Sequence, residues 1–505
     1  QAGIRVLYRH QLKSALTQGL RITGVVATDL STGKTLRIEA RQTIDATELG
    51  DLMAMAGVPY DLGMEADKIT QEGLQIPENN DIVQDLTYVA ILKDYGSTAD
   101  WTIVQPEGFR PDEFDCCCSD ACSDTSKLYS RVDARKMLAY GRLPNGKYMI
   151  NWPSHGNDIY LNLAEMNAVT RDRMLDQARW KTLRFVYYIQ TVLGYKNLGL
   201  ADDEFPTQTR LPLRAYHREG RRMRGRVRFT VREIASPFSG PMAFYRTGVA
   251  VGDYPIDHHH RENPQAPQYL GFYPVPSFNI PLGALIPARH SGLIVAEKAI
   301  SVSNAANGTT RLQPVVMLTG QAAGALAALC ALRRKDASEI PVRDVQAILL
   351  SQGAYLMPYF DVPPNEAHFQ AVQRIGATGI LKGKGEPYKW ANRTWFYPDS
   401  VVDARALQTD IKPFTRWEAP GMQLTIQQSI DLAGELYRLR IASASQSAAT
   451  TSPTRIDADT WSLWGLDHFD PGRPITRAEF AVLLDKTVDP FQWKCPDHEG
   501  RYPGE

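Results

Sequence analysis

Gly292-Leu293-Ile294-Val295-Ala296, a polar loop through Glu297-Lys298 to Ser303, and then Asn307-Gly308-Thr309-Thr310-Arg311-Leu312-Gln313-Pro314-Val315-Val316-Met317-Leu318-Thr319-Gly320-Gln321-Ala322-Ala323-Gly324-Ala325-Leu326-Ala327-Ala328-Leu329 form the stretch on which the fold turns. Its opening reads as a short apolar strand and the run after Pro314 as a long helix rich in small residues. Pro314 suits a first helical turn, where a missing N–H costs nothing. The free N–H groups and positive dipole end there favour negative charge in front of the helix. Gly320, Gly324 and the alanines predict a helix lying close against a sheet. A packed Ala-rich core helix accounts for residues 320–329 equally well, but not for residues 308–314.

A second joint of the same kind stands near the start: Ile44-Asp45-Ala46-Thr47-Glu48-Leu49-Gly50-Asp51-Leu52-Met53-Ala54-Met55-Ala56-Gly57. It reads as a strand ending in small residues, a tight turn and a helix beginning at an Asp. Such a turn brings backbone N–H groups close to a phosphate or a polyol chain; a plain strand-to-helix joint is the other reading. Residues 5–8, 21–29 and 35–45 predict a small meander, with a turn at 31–34. The chain opens as a strand already under way, which predicts an internal start. Residues 61–111 read as an inserted region of strands and loops, 160–195 as helices, and 227–231 and 247–251 as strands in a substrate-facing layer. The composition shifts after about residue 343, and residues 442–454, rich in Ser, Ala and Thr, read as a linker or exposed loop.

Asp45-Ala46-Thr47-Glu48-Leu49-Gly50-Asp51 resembles the Asp-Ala-Thr-x-x-Gly-Asp signature of the FAD-dependent oxidoreductase family, related to fumarate-reductase and glutathione-reductase type flavoproteins. Residues 292–329 resemble its C-terminal flavin motif. The likeness continues through Ile150-Asn151-Trp152-Pro153, Arg218-Glu219-Gly220-Arg221-Arg222, Gly252-Asp253-Tyr254-Pro255-Ile256-Asp257-His258-His259-His260 and Ile280-Pro281-Leu282-Gly283-Ala284-Leu285-Ile286-Pro287, so that it covers roughly residues 1–335. It implies an α/β, Rossmann-like FAD-binding fold, with a partial FAD domain in 1–60, a substrate or cap domain in 61–290, and the FAD domain's last strand and helix in 291–335. It implies FAD as cofactor, contacted by Val6, Ala46, Thr47, Gly50, Asp51, Ala296, Arg311, Gln313, Pro314, Gly320 and Gln321. The family's opening Gly-x-Gly-x-x-Gly turn has no counterpart here, since Gly383-Lys384-Gly385 is followed by Tyr388 in place of the third Gly. A fold lacking its first βαβ unit is expected. Glu297-Lys298 stands where relatives often carry Gly-Arg or Gly-Asp.

Residues 355–505 have a likeness of their own. Phe360-Asp361-Val362-Pro363-Pro364, then residues 369–383, and Pro474-Ile475-Thr476-Arg477-Ala478-Glu479-Phe480 resemble pieces of S-layer homology modules. That implies a mainly helical region with pockets for cell-wall polymer; a structural or dimerisation role is the alternative.

The function implied is oxidation or reduction of a small organic substrate by hydride transfer at flavin N5. The cofactor supplies the redox chemistry, so the protein needs a base and cations to hold the substrate. His258, His259 and His260 are the base candidates, because imidazole titrates near neutral pH. Arg218, Arg221 and Arg222 carry forked donors for a carboxylate or hydroxyl. A surface His cluster, core imidazoles and a solvated basic face that includes Arg224 are the plainer readings. Of these residues, His258, His259, Arg218 and Arg222 are taken as catalytic. A non-catalytic fragment whose C-terminal region binds envelope polymer is the alternative function, and a hydratase or isomerase with a structural flavin is another.

Lys plus Arg equal Asp plus Glu at 56 each in 505 residues, so no bulk field draws in nucleic acid or an anionic membrane. The longest apolar run, around residues 315–332, is broken by Thr, Gly and Gln, so no membrane span is expected. No His-Glu-x-x-His, P-loop or Gly-x-Ser-x-Gly sequence competes. Cys116, Cys117, Cys118 and Cys122 lack the companion pair of a zinc site; disulfides or free thiols are expected and no metal. With the S-layer-like pieces they suggest the cell envelope or secretion, the cytoplasm otherwise.

Overall fold

The computed structural model describes residues 3–266, 273–388, 390–443 and 456–505. Its first strand is His10–Gln18, paired antiparallel with Arg21–Asp29, whose other edge carries Thr35–Glu39. Residues 5–8 are not a strand: Val6 is 60% exposed in irregular chain, and Arg9 at φ 57° turns the backbone before pairing begins. The meander therefore starts later than the sequence pattern predicts.

The two motif strands lie side by side. Thr43–Asp45 pairs parallel with Leu293–Val295, Ile44 opposite Ile294 and Asp45 opposite Val295. Parallel neighbours need a long crossover, and here nearly half of the chain intervenes. Helix Gln313–Arg333 covers this pair and the strand Gly248–Gly252 with a stripe of Val315, Thr319, Ala322, Ala323, Leu326, Leu329 and Cys330. The repeat of three and four residues is what one helix face requires. Gly320 and Gly324 lie off that stripe, and a Cβ added at either would meet nothing within 4 Å. The alanines, not the glycines, make the close approach. This is the one helix among the described residues long and apolar enough to cross a membrane; its buried stripe packs into the core.

Residues 86–215 build a core of their own. Strands Ala90–Asp94, Lys147–Ile150 and Leu198–Leu200 form a sheet covered by helix Ala168–Thr191, which begins where the Asn167 side chain accepts from Thr170 N–H at 3.0 Å. Phe114, Phe185 and Tyr188 fill the space beneath it. Residues 227–231 are not a strand. Thr230 and Glu233 form a capping box that starts helix Val231–Ala235, and reciprocal capping overrides the β-branched pattern. The expected strand at 247–251 is Gly248–Gly252, paired with Phe278–Pro281.

The C-terminal helices do not pack among themselves alone. Phe369 and Ile375 of helix Phe369–Thr378, Phe480 and Leu483 of helix Arg477–Thr487, and Phe491 join Ile280, Ile294, Val345 and Leu349 in one contiguous core. The expected linker at 442–454 falls almost wholly outside the described residues; helix Ile426–Ser443 runs up to it.

Candidate functional site

At the end of strand Thr43–Asp45, the buried Asp45 carboxylate accepts from Thr47 N–H at 2.9 Å, Thr47 Oγ1 at 2.7 Å and Met53 N–H at 2.8 Å. Thr47 Oγ1 in turn accepts from Asp51 N–H at 2.7 Å. These bonds tie the turn to the first turn of helix Asp51–Met55. Gly50 sits at φ 67°, and a Cβ there would stand 2.5 Å from Met53 Cε and 3.3 Å from Arg221 Cβ, so any other residue is strained here. Asp51 is gripped by Arg171 at 2.7 and 2.8 Å and by Arg221 at 2.9 Å. Burial pushes its carboxyl up, but the two guanidinium groups outweigh that and hold it below the usual range.

This turn opens on a cavity of about 790 Å³. Glu48 lines it from the turn, Glu297 and Lys298 from the end of the neighbouring strand, and Leu312, Gln313 and Pro314 from the start of helix Gln313–Arg333. No side chain caps that helix start, so its first N–H groups are left for a bound group or solvent. Lys298, 4% exposed, lies 3.0 Å from Glu48 and 2.5 Å from Glu297. Burial opposes its charge; the two glutamates more than compensate and keep its pKa above the ordinary value.

The cavity is also lined by Arg218, Asp257, His259 and Arg311, and by Tyr140, Tyr216, Tyr254 and Asn151. His259 Nδ1 stands 3.1 Å from Asp158 and Nε2 3.0 Å from Asp257. Arg218 pairs with Asp158 at 3.3 Å, Thr87 donates its hydroxyl to the same carboxylate, and Arg311 pairs with Asp257 at 3.3 Å. Burial would raise both carboxyls, yet the Arg218 charge with the His259 bond at Asp158, and the His259 bond with the Arg311 and Arg218 charges at Asp257, hold both below the ordinary range. Arg218–Asp158–His259–Asp257–Arg311 is thus one continuous run of paired basic and acidic side chains, of which Arg218, His259, Asp257 and Arg311 line the cavity.

Two of the expected catalytic residues lie elsewhere. His258 faces the buried helix Asn304–Thr310, its Nε2 3.0 Å from Asn304 O and 3.2 Å from Ala305 O, and burial pushes its pKa down to about 4. Arg222 is 1% exposed between Glu65, at 2.8 Å, and Glu219. Its guanidinium neutralises a buried acidic pair, so it is part of the scaffold. Among the expected cofactor contacts, Arg311, Gln313 and Pro314 line the cavity, while Ala46, Thr47, Gly50 and Asp51 build the turn beside it. Ala296 N–H donates to Asp45 O at 2.9 Å, joining the two strand ends. Val6, Gly320 and Gln321 are exposed and line no part of the cavity. Sequence reasoning missed Asp158, Asp257, Lys298 and the tyrosines as site residues. Asp257 stood inside a quoted motif; Asp158 gave no local signal.

Cys116 and Cys122 form a disulfide, and Cys117 and Cys118 are buried thiols. Among the described residues no group of three or more His, Cys, Asp or Glu is arranged to hold a metal. The family model described as FAD dependent oxidoreductase matches residues 1–349. No curated protein and no solved structure matches the chain.

Proposed function

We propose, from the premise that this chain belongs to the FAD dependent oxidoreductase family and has FAD as its cofactor, that the cavity oxidises or reduces a small organic substrate by hydride transfer at flavin N5. The residues present fit a flavin. The uncapped helix start at Gln313-Pro314 offers N–H groups and a positive dipole end, and the Asp45-to-Asp51 turn brings Glu48 to the cavity lining. When bound, FAD supplies the two-electron chemistry. Gln313, Pro314, Lys298 and Glu48 would hold it.

The observation that carries the reading is the Asp257–His259 pair on the wall of that same cavity, with the buried Asp158 on the ring's other nitrogen. A proton leaving the substrate is received at Asp257 and passed to His259 Nε2. The imidazolium then donates from both nitrogens, one to each carboxylate, so neither acceptor is left unpaired. Arg218 fixes Asp158 and Arg311 fixes Asp257, which holds the ring in place. Lined by Tyr140, Tyr216 and Phe205, the cavity suits a polar molecule with an apolar face.

The test is anaerobic bleaching of the flavin in the FAD-loaded protein by a substrate panel of alcohols, amines and hydroxy acids. Bleaching by one class, slowed at least about 100-fold in His259→Gln, is the expected result. No bleaching by any class, with FAD bound, would overturn the reading. We further propose that the C-terminal helices close the core as a cap rather than serve as a wall anchor, because their apolar faces are spent in the interior. Export to an oxidising compartment is proposed on the Cys116–Cys122 disulfide.

A further inference from the structure

The hairpin of strands Lys384–Glu386 and Arg393–Trp395 carries an unusual outer face. Along residues 393–397 the alternation is clean: Thr394 and Phe396 are buried, while Arg393, Trp395 and Tyr397 lie on the solvent side. A solvated strand face is ordinarily polar. Here Phe360, 58% exposed, meets Trp395 edge-on at 5.2 Å, and Trp395 lies nearly parallel to Tyr397 at 6.1 Å. Tyr388 and Trp390, in the turn of the hairpin, are 43% and 53% exposed. The Arg393 guanidinium lies 4.3 Å from the Tyr388 ring, 4.7 Å from Phe360 and 5.6 Å from Trp395, and forms no ion pair among the described residues.

Tyr397 sits at φ 57°, a region a bulky side chain enters only when held there. Asp361 does the holding, accepting from Phe396 N–H at 2.8 Å and Tyr397 N–H at 2.7 Å. The hairpin is also fixed to the cavity. Asn392 donates from N–H and Nδ2 to Asp253 O at 2.7 and 2.8 Å, and the Trp390 ring lies 6.1 Å from Tyr254, a cavity residue. The hairpin thus carries the Phe360, Trp395 and Tyr397 rings on its outer face and reaches the cavity residue Tyr254 through Trp390.

Aromatic rings gathered on one accessible face, four of them exposed and Trp395 half-buried, are the kind of surface that binds a ligand. The chemistry that matches flat rings with a guanidinium among them is that of a sugar chain. The C–H face of a pyranose is apolar and slightly positive, so it stacks on the negative face of an aromatic ring. Its rim hydroxyls need donors, and a guanidinium whose face covers a ring keeps its edge N–H groups for them. A nucleic acid would want a basic field, which a chain of net charge +0 lacks. We propose that this hairpin is a binding platform for an oligosaccharide whose chain runs from Trp395 and Tyr397 toward Tyr254 at the cavity rim. That the cavity acts on the end of this chain rests on the oxidoreductase reading above; binding to the platform does not.

The test is calorimetric titration of the full chain with cellohexaose, maltohexaose and hexagalacturonate, with FAD affinity measured separately by flavin fluorescence. At least one sugar should bind, and Trp395→Ala or Tyr397→Ala should weaken it roughly tenfold or more while thermal unfolding stays cooperative and Trp395→Phe retains most of the affinity. Preference for hexagalacturonate that disappears in Arg393→Gln would show a carboxylate-bearing sugar; equal binding of the neutral chains would show hydroxyl recognition. Absence of binding to all three, binding unchanged by both alanine variants, or binding of an oligonucleotide instead would overturn the proposal. Sugar binding without FAD binding would keep the platform and sink the oxidoreductase reading.

Discussion

The imidazole of His259 meets the carboxylate of Asp158 through Nδ1 at 3.1 Å, and Asp158 is buried with Arg218 as its counter-charge. This contact fixes the ring while Nε2 engages Asp257 at 3.0 Å. Replacing Asp158 by Asn should therefore misorient His259 and leave Arg218 buried without its partner. Turnover should fall about 10²- to 10⁴-fold, with FAD affinity within about twofold of wild type. Single-turnover flavin reduction and fluorescence titration check the two halves.

The grip of Arg171 and Arg221 on Asp51 predicts a different phenotype. Asp51→Ala leaves two guanidinium groups facing each other at the start of helix Asp51–Met55. It should cost about 1–3 kcal/mol in urea unfolding and weaken FAD binding, because the turn beside the cavity loses its tether. Unchanged stability would show that the pair is screened by solvent.

Asp85 gives the protein a pH dependence with a definite sign. Its carboxyl is 1% exposed, and burial pushes its pKa from 3.8 up to about 7. The native state thus keeps a proton that the unfolded state releases, so this group's contribution is present below about pH 4 and is lost as pH rises through about 7. Asp85→Asn should raise the melting temperature at about pH 8 and leave it unchanged at about pH 4. Scanning calorimetry at the two pH values decides.

The cysteines can be counted chemically. With Cys116–Cys122 bonded, the unfolded, unreduced protein should expose the thiols of Cys117, Cys118, Cys330 and Cys495, and reduction should add two. Cys116→Ser with Cys122→Ser should cost about 2 kcal/mol, the value for so short a loop. Thiol titration in denaturant and urea unfolding are the measurements.

Removal of residues 355–505 should not leave a soluble core. It strips Phe369, Ile375, Phe480 and Phe491 from the cluster that holds Val345 and Leu349, and exposes an apolar surface far beyond a normal patch. The truncated protein should aggregate or bind a hydrophobic dye, as light scattering and dye fluorescence would show. A soluble, cooperatively unfolding fragment would instead mark the C-terminal region as independent.

The local grammar of the chain was enough for the two strand–turn–helix joints. Asp45 and Asp51 bracket a turn that must bond its own backbone, and Pro314 with the small residues behind it specifies a helix start and a packing face wherever they stand. Local pattern also misled where two local preferences competed, as at residues 227–231, where the Thr230–Glu233 box prevailed over β-branched neighbours. What sequence periodicity cannot encode is which of three adjacent histidines meets a cavity. In irregular chain His258, His259 and His260 point to different places, and only packing against helix Asn304–Thr310 buries the first while Asp158, contributed from elsewhere in the chain, claims the second. The same holds for Arg222, a forked donor by sequence and a buried counter-ion in the fold, because Glu65 and Glu219 reach it only after the chain has closed. Short-range bonds are settled by neighbouring residues; charge partners and cavity walls are settled by contacts between distant ones, and those exist only once the core has formed.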